Sequence, residues 1–128
     1  MPLWSDYKQQ AKQRGSLALE LFVISTQPKG DMDLVKATLP DHLAYQAKME
    51  AAGALFLAGP VSDDTGENMN AAGMIIYRAA DMDAARALAD GDPMHANGAR
   101  QYTLKKWLVN EGSLNLSVSL SSQSAVFD

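Results

Sequence analysis

The residues in this chain best equipped to do chemistry are an imidazole and a carboxylate far apart in sequence. His42 is one of only two histidines in the 128 residues, and Asp92 opens the stretch Asp92-Pro93-Met94-His95-Ala96-Asn97-Gly98, which holds the other. An imidazole titrates near ~6.5 when unperturbed, so it can take or give a proton at neutral pH, and a carboxylate at its side fixes the tautomer and stabilises the charged form. Asp before Pro is also an ordinary turn former, and a histidine at a helix start can simply be solvated, so the pair has a bland reading beside the catalytic one. The turn follows an Ala-rich segment closed by Gly91, a place where polar side chains can converge on a pocket without disturbing a core. His95 lies one helical turn beyond Asp92, and with Asp41 or Asp92 the two histidines would satisfy a metal by residue type. Their spacing matches no zinc motif, and no metal is expected. Tyr45, Gly59, Pro60, Ser62 and His95 are the candidate ligand contacts, Gly59 to Ser62 as one wall of a pocket.

Other chemistries are excluded by inventory. The chain has no cysteine, hence no thiol nucleophile, thiolate metal site or disulfide. No serine elbow, phosphate-cradling glycine loop or dinucleotide fingerprint is present, so neither acyl transfer nor a bound cofactor is expected. A net charge of -4 leaves no basic stripe for nucleic acid. The polar start, with Lys8, Lys12 and Arg14 and no apolar run, is neither signal peptide nor membrane span, and a cytoplasmic protein without membrane partners is expected.

The elements that must position the pair follow from periodicity. Residues 1-16 read as a helical extension, capped by Ser5, stopped by Gly15 and carrying Leu3, Trp4, Tyr7 and Ala11 on one face. Leu17 to Ser25 turns from alternating to wholly apolar, as a central strand does. Asp31 to Thr38 can form a helical turn, and Pro40 then suits the first position of a separate helix running to about Ala52. On that helix Leu43, Ala47 and Ala51 are assigned the packing face, with His42, Tyr45, Gln46 and Met49 beside it. Ala54 to Ala58, ending at Gly59-Pro60, and Ala71 to Tyr77 form a hairpin around an acidic loop that lacks calcium-loop spacing. Asp81 caps a helix over Met82 to Asp90, and Tyr102 to Val109 is the last strand. The order strand, helix, strand, strand, helix, strand is the split βαβ, ferredoxin-like arrangement, an α+β fold occupying residues 17-110. Beyond it, residues 111-128 form a strand-like tail in which Leu114, Leu116, Val118 and Leu120 alternate with polar residues and call for a sheet edge, that of a second copy above all.

His42-Leu43-Ala44-Tyr45, then Gly53, the strand ending Ala58-Gly59-Pro60, and the small helix closing on Asp92-Pro93 with Gly98 after it, resemble the YCII-related (YciI-like) proteins over about Leu17 to Val109. The resemblance implies a ferredoxin-like fold pairing into a dimeric α/β barrel, with an active site on a His and an Asp that map to His42 and Asp92. Family members often carry Arg three residues before the His, where this chain has Leu39. The best-defined activity the resemblance suggests is elimination of chloride from a chlorinated hydroxyhydroquinone. Two functions are therefore expected to compete. One is a cofactor-independent lyase- or isomerase-like enzyme acting on a small hydroxylated or carbonyl compound. The other is a non-catalytic small-molecule-binding or accessory protein. A homodimer is expected in either case, since helices on one face of the sheet leave the other open; Phe22, Ile24 and Ile75 are assigned to that open face.

Overall fold

The computed structural model describes residues 1–127. In order they form α1 (Trp4–Gln13), β1 (Leu19–Pro28), α2 (Met32–Ala51), β2 (Leu55–Ser62), β3 (Met69–Tyr77), α3 (Met82–Gly91), α4 (Pro93–Ala96), β4 (Arg100–Val109), β5 (Leu116–Ser119) and β6 (Ser124–Phe127). The chain divides into two compact units, one of Glu20–Leu108 and one of Met1–Leu19 with the segment from Val109 on.

The larger unit has the expected element order. Its sheet runs β2-β3-β1-β4, with β1 and β2 each antiparallel to β3. Phe22 pairs with Tyr77 and Ile24 with Ile75, and these four join Ala85 and Ala89 of α3 in the buried core. This corrects the expected face: Phe22, Ile24 and Ile75 point toward the helices. Alternation places Val23, Ser25 and Met74 on the opposite side of the sheet, where Met74 and, on the neighbouring strands, Leu57 and Trp107 are solvent-exposed.

Two corrections concern proline. The stretch from Met32 to Ala51 is one helix with Pro40 inside it, started by Asp31, whose side chain accepts from the Leu34 amide at 3.1 Å. Proline removes the bond to the carbonyl four residues back and crowds it, at a cost near ~3 kcal/mol in a helix interior. Here Lys36 and Pro40 both lie on the exposed side, where water can serve the freed carbonyl. Inward contact is made by Thr38, His42, Tyr45, Gln46 and Met49, so the expected packing face was also misassigned: Leu43, Ala47 and Ala51 are exposed. His42 is consequently mid-helix, not in a first turn. The second proline, Pro60, does not end β2; the strand continues to Ser62 with register shifts beside Leu55 and Pro60. β2 is an edge strand, the place in a sheet where proline is tolerated.

The hairpin loop after β2 is closed by Asp63, whose carboxylate accepts from the Thr65 amide and hydroxyl and from Asn68. These bonds, Thr65 first, hold its pKa below the ordinary value.

In the smaller unit, α1 starts at Trp4 with Leu3 as an N-cap that makes no side-chain bond, so Ser5 does not cap it. Gly15, at φ +86°, ends it, and Arg14 reaches back over the Tyr7 ring. The tail does contain the strand its alternation predicted, but β5 pairs with β6 in a hairpin of its own. Among the described residues no helix is long and apolar enough to cross a membrane.

Candidate active site

Asp92 occupies a hinge between two helices. It is the C-cap of α3 and the N-cap of α4, extended at φ -66° and ψ 124°, and Pro93 takes the first position of α4, where its missing N–H costs nothing. The side chain is wholly buried. Its Oδ1 accepts from the Met94 amide at 3.0 Å, and its carbonyl accepts from the His95 and Ala96 amides. Facing it across the gap to α2 is His42, whose Nδ1 lies 2.9 Å from Oδ1 and 2.8 Å from Oδ2. A carboxylate can only accept, so Nδ1 donates and Nε2 is left as the basic nitrogen of the neutral ring. The His42 side chain is 16% exposed, and Nε2 has no protein partner among the described residues.

Neighbouring side chains hold the gap. Asn97 donates to the Thr38 hydroxyl of α2 at 2.8 Å, and its own side-chain oxygen accepts from the Ala99 amide, tying the α4 loop to the helix that carries His42. Tyr45 lies one turn beyond His42 and donates to the Leu88 carbonyl at 2.6 Å. Its hydroxyl explains Gly91, because a Cβ there would come within 2.8 Å of it. Burial first, and the Asp92 charge second, push the Tyr45 phenol up, so it stays a neutral donor. Asp92 also acts in the same sense on Tyr77 and supports the charge of Arg100.

His42 lines a cavity of about 580 Å³, within the range of small-molecule sites. The walls are α2 (Met32, Val35, Leu39, His42, Leu43, Gln46), β2 (Gly59, Pro60), β3 from Met69 to Ile75, and Met94, His95, Thr26 and Arg100. Of the sequence-derived candidates, His42, Gly59, Pro60 and His95 line this space and Asp92 backs it. Tyr45 and Ser62 do not line it: Tyr45 is a strut between α2 and α3, and the Ser62 hydroxyl is turned to the Asp63 carbonyl.

His95 has both ring nitrogens committed. Nδ1 donates to the Ala89 carbonyl at 2.7 Å, so Nε2 of the neutral ring accepts from the Thr26 hydroxyl at 2.9 Å. The ring also packs against Tyr102, with centroids 4.7 Å apart. Thr26 in turn accepts from Arg100 Nε at 3.0 Å. The expected last strand began at Tyr102, which left Arg100 outside it; β4 begins at Arg100, so Arg100, Tyr102 and Leu104 share one face, and the last two pack on the core. A cation at an inward position is the signal. Among the described residues no group of three His, Cys, Asp or Glu gathers as a metal site.

With this fold and geometry established, the chain's kinship can be stated: it belongs to the YCII-related domain family, whose match spans residues 20–108. Among solved structures it is similar to 5-chloro-2-hydroxyhydroquinone dehydrochlorinase (TftG) from Burkholderia phenoliruptrix AC1100 in complex with 2,5-dihydroxybenzoquinone. That likeness has a TM-score of 0.55 and 20% sequence identity, and it covers 68% of this chain and 92% of that one. It is a likeness of fold. No curated protein matches the chain by sequence.

Proposed function

We propose that the protein is a small-molecule enzyme in which His42 transfers protons and Asp92 positions it, performing an elimination or isomerisation on a small hydroxylated or carbonyl-bearing compound. One observation carries the reading: a fully buried carboxylate holds His42 Nδ1 with both oxygens, leaving Nε2 as the basic nitrogen of a residue on the wall of a largely apolar cavity. A side chain that only stabilised the fold would not need to line a cavity of this size. In the reaction proposed, Nε2 takes a proton from the substrate, and the electrons released either expel an anionic leaving group or shift a double bond. The imidazolium formed is stabilised by Asp92 and returns the proton to product or solvent. The fold neighbour's name denotes loss of hydrogen chloride, which divides in the same way: a proton to a base and chloride with the bonding pair.

The working unit is a homodimer in this proposal. Support comes from the exposed apolar side chains Leu57, Met74 and Trp107 beside the sheet face turned from the helices, and from Met32, Leu39 and Leu43 at the cavity rim.

Chloride release from 5-chloro-2-hydroxyhydroquinone, followed for wild type and His42→Ala, tests the chemistry. Release by wild type with at least a hundred-fold loss in the variant is expected, the usual lower bound for a general base. Equal release by both, with chemistry limiting the rate, would remove His42 from the mechanism.

A further inference from the structure

Arg100 is a cation that the protein itself does not neutralise by contact. Its guanidinium is partly buried, and its hydrogen bonds go to neutral oxygens: Nε to the Thr26 hydroxyl, Nη2 to the Thr26 carbonyl at 3.0 Å and to the Ala71 carbonyl. The last partner belongs to a residue at φ +64°, a left-handed conformation unfavourable for alanine, which the neighbouring Asn70 supports by accepting from the Ala72 amide. Three bonds thus fix the plane of the fork. The remaining amino group, Nη1, has no protein partner among the described residues, and no carboxylate there forms an ion pair with Arg100. Burial works against the guanidinium charge and the more distant Asp92 favours it. A partly desolvated cation without a contact counter-ion favours an anion beside it, and a guanidinium held by one edge still offers donors to an oxyanion.

The surroundings define what such an anion would be attached to. Arg100 lines the same cavity as His42, and of the cavity's lining residues it is the only Lys or Arg. Its apolar lining includes Met32, Val35, Leu39, Leu43 and Met94. We propose that Arg100 is the anion-binding group of the cavity, and that the ligand is a small organic anion with one carboxylate or phenolate oxygen on an otherwise apolar body. This rests on the reading of the cavity as the small-molecule site and adds the substrate class. The oxyanion meets Nη1 while the apolar body lies against α2, which leaves His42 Nε2 to serve the reacting end. In a proton abstraction that spreads charge onto this oxygen, Arg100 would bind the developing anion more strongly than the neutral reactant.

The test compares matched anionic and neutral probes on the full-length chain by calorimetry and ligand-observed NMR: benzoate against benzamide, and 4-nitrophenolate against 4-nitroanisole. It is run at one pH, near ~8.5, on wild type, Arg100→Gln and His42→Gln alike, so that the variants separate the two groups. At least one anion is expected to bind about ten-fold or more tightly than its neutral partner, and Arg100→Gln should abolish that preference. Retention of the preference in His42→Gln supports the assignment, and its loss there with retention in Arg100→Gln overturns it. Equal affinity within both pairs, or no binding of either anion, also overturns it. If Arg100→Gln fails to fold, the wild-type and His42→Gln comparisons at this pH decide the matter. The proton-transfer reading is judged separately by chloride release and by the His42 tautomer, so either can fail alone.

Discussion

Asp92→Asn separates positioning from folding more cleanly than any other change at this site. The carboxylate makes three contacts, two to the single Nδ1 proton of His42 and one from the Met94 amide. An Asn side chain keeps one oxygen and turns the other into a donor. If the oxygen stays with Met94, the new amino group faces Nδ1, donor against donor, and the ring must change tautomer so that Nδ1 accepts and Nε2 carries the hydrogen. The reverse placement sets the amino group against the Met94 amide and leaves a buried donor unsatisfied, at about 1–3 kcal/mol. The first arrangement therefore wins. It presents an N–H instead of a lone pair at Nε2, which removes the base.

Turnover in Asp92→Asn should accordingly fall by about 10²–10⁴, the usual worth of a general base, with a smaller effect on substrate affinity. Stability should change little. A charge-assisted bond of roughly 1.5–3 kcal/mol is lost, but so is the cost of burying a charge, and the two offset to within about 2 kcal/mol. Nitrogen NMR of the His42 ring reads the tautomer directly, urea unfolding reads the stability, and steady-state kinetics read the rate. A variant that keeps hydrogen on Nδ1, or one with the tautomer switched and turnover intact, would refute the reasoning.

Other changes give equally definite expectations. Gly91→Ala should destabilise the fold by about 1–2 kcal/mol, because its Cβ would meet the Tyr45 hydroxyl at 2.8 Å, and Tyr45→Phe should recover part of the loss; chemical denaturation of the two single variants and the double variant measures the coupling. The Tyr77 hydroxyl is buried without a hydrogen-bond partner, so Tyr77→Phe should stabilise by roughly 1 kcal/mol, read as a raised melting temperature. Tyr45, Tyr77 and Tyr102 all have pKa values raised above 10.0, each first by burial. Their folded forms hold protons the unfolded chain gives up, so this part of the stability is complete below about pH 10 and is lost as pH rises above it; urea midpoints that stay flat from pH 8 to 11 would contradict it. Sedimentation should find a dimer at micromolar concentration, and a stable monomer would remove the proposed pairing.

The order of elements was legible because each is marked by a local signal. Asp81 caps α3 through the Ala84 amide at 2.8 Å, the apolar run of β1 makes it a central strand, and the acidic loop closes a hairpin. The misreadings share a cause: a local rule was overruled by exposure. Pro40 should begin a helix, yet the carbonyl it deprives of a partner belongs to exposed Lys36, so water tolerates what a core would not. Pro60 should end a strand, yet β2 is at an edge. On α2 the apolar residues Leu43, Ala47 and Ala51 suggest a packing face, yet they are exposed and Tyr45 and Met49 turn inward. Phe22, Ile24 and Ile75 were expected on the open face of the sheet, but a wholly apolar run does not say which face the helices will cover.

The same limit governs the site. His42 and Asp92 stood out because histidine is scarce in this chain and a carboxylate before proline fits the end of one helix and the start of the next, where Asp92 lies. Arg100 did not stand out, since arginine at the start of a strand usually reaches for solvent. Its direction is set by parity with Tyr102 and Leu104, and that becomes informative only once those two are known to face the helices. An inward arginine on β4 needs oxygens from β1 and β3, and it finds them in Thr26 and Ala71; it needs a counter-charge, and among the residues lining the cavity none is acidic. Leu39, which stands three residues before His42, faces the same space. The cavity's fixed cation therefore comes from the sheet instead of from α2, so an anionic ligand would be held at β4 with its apolar body toward the helix that carries His42.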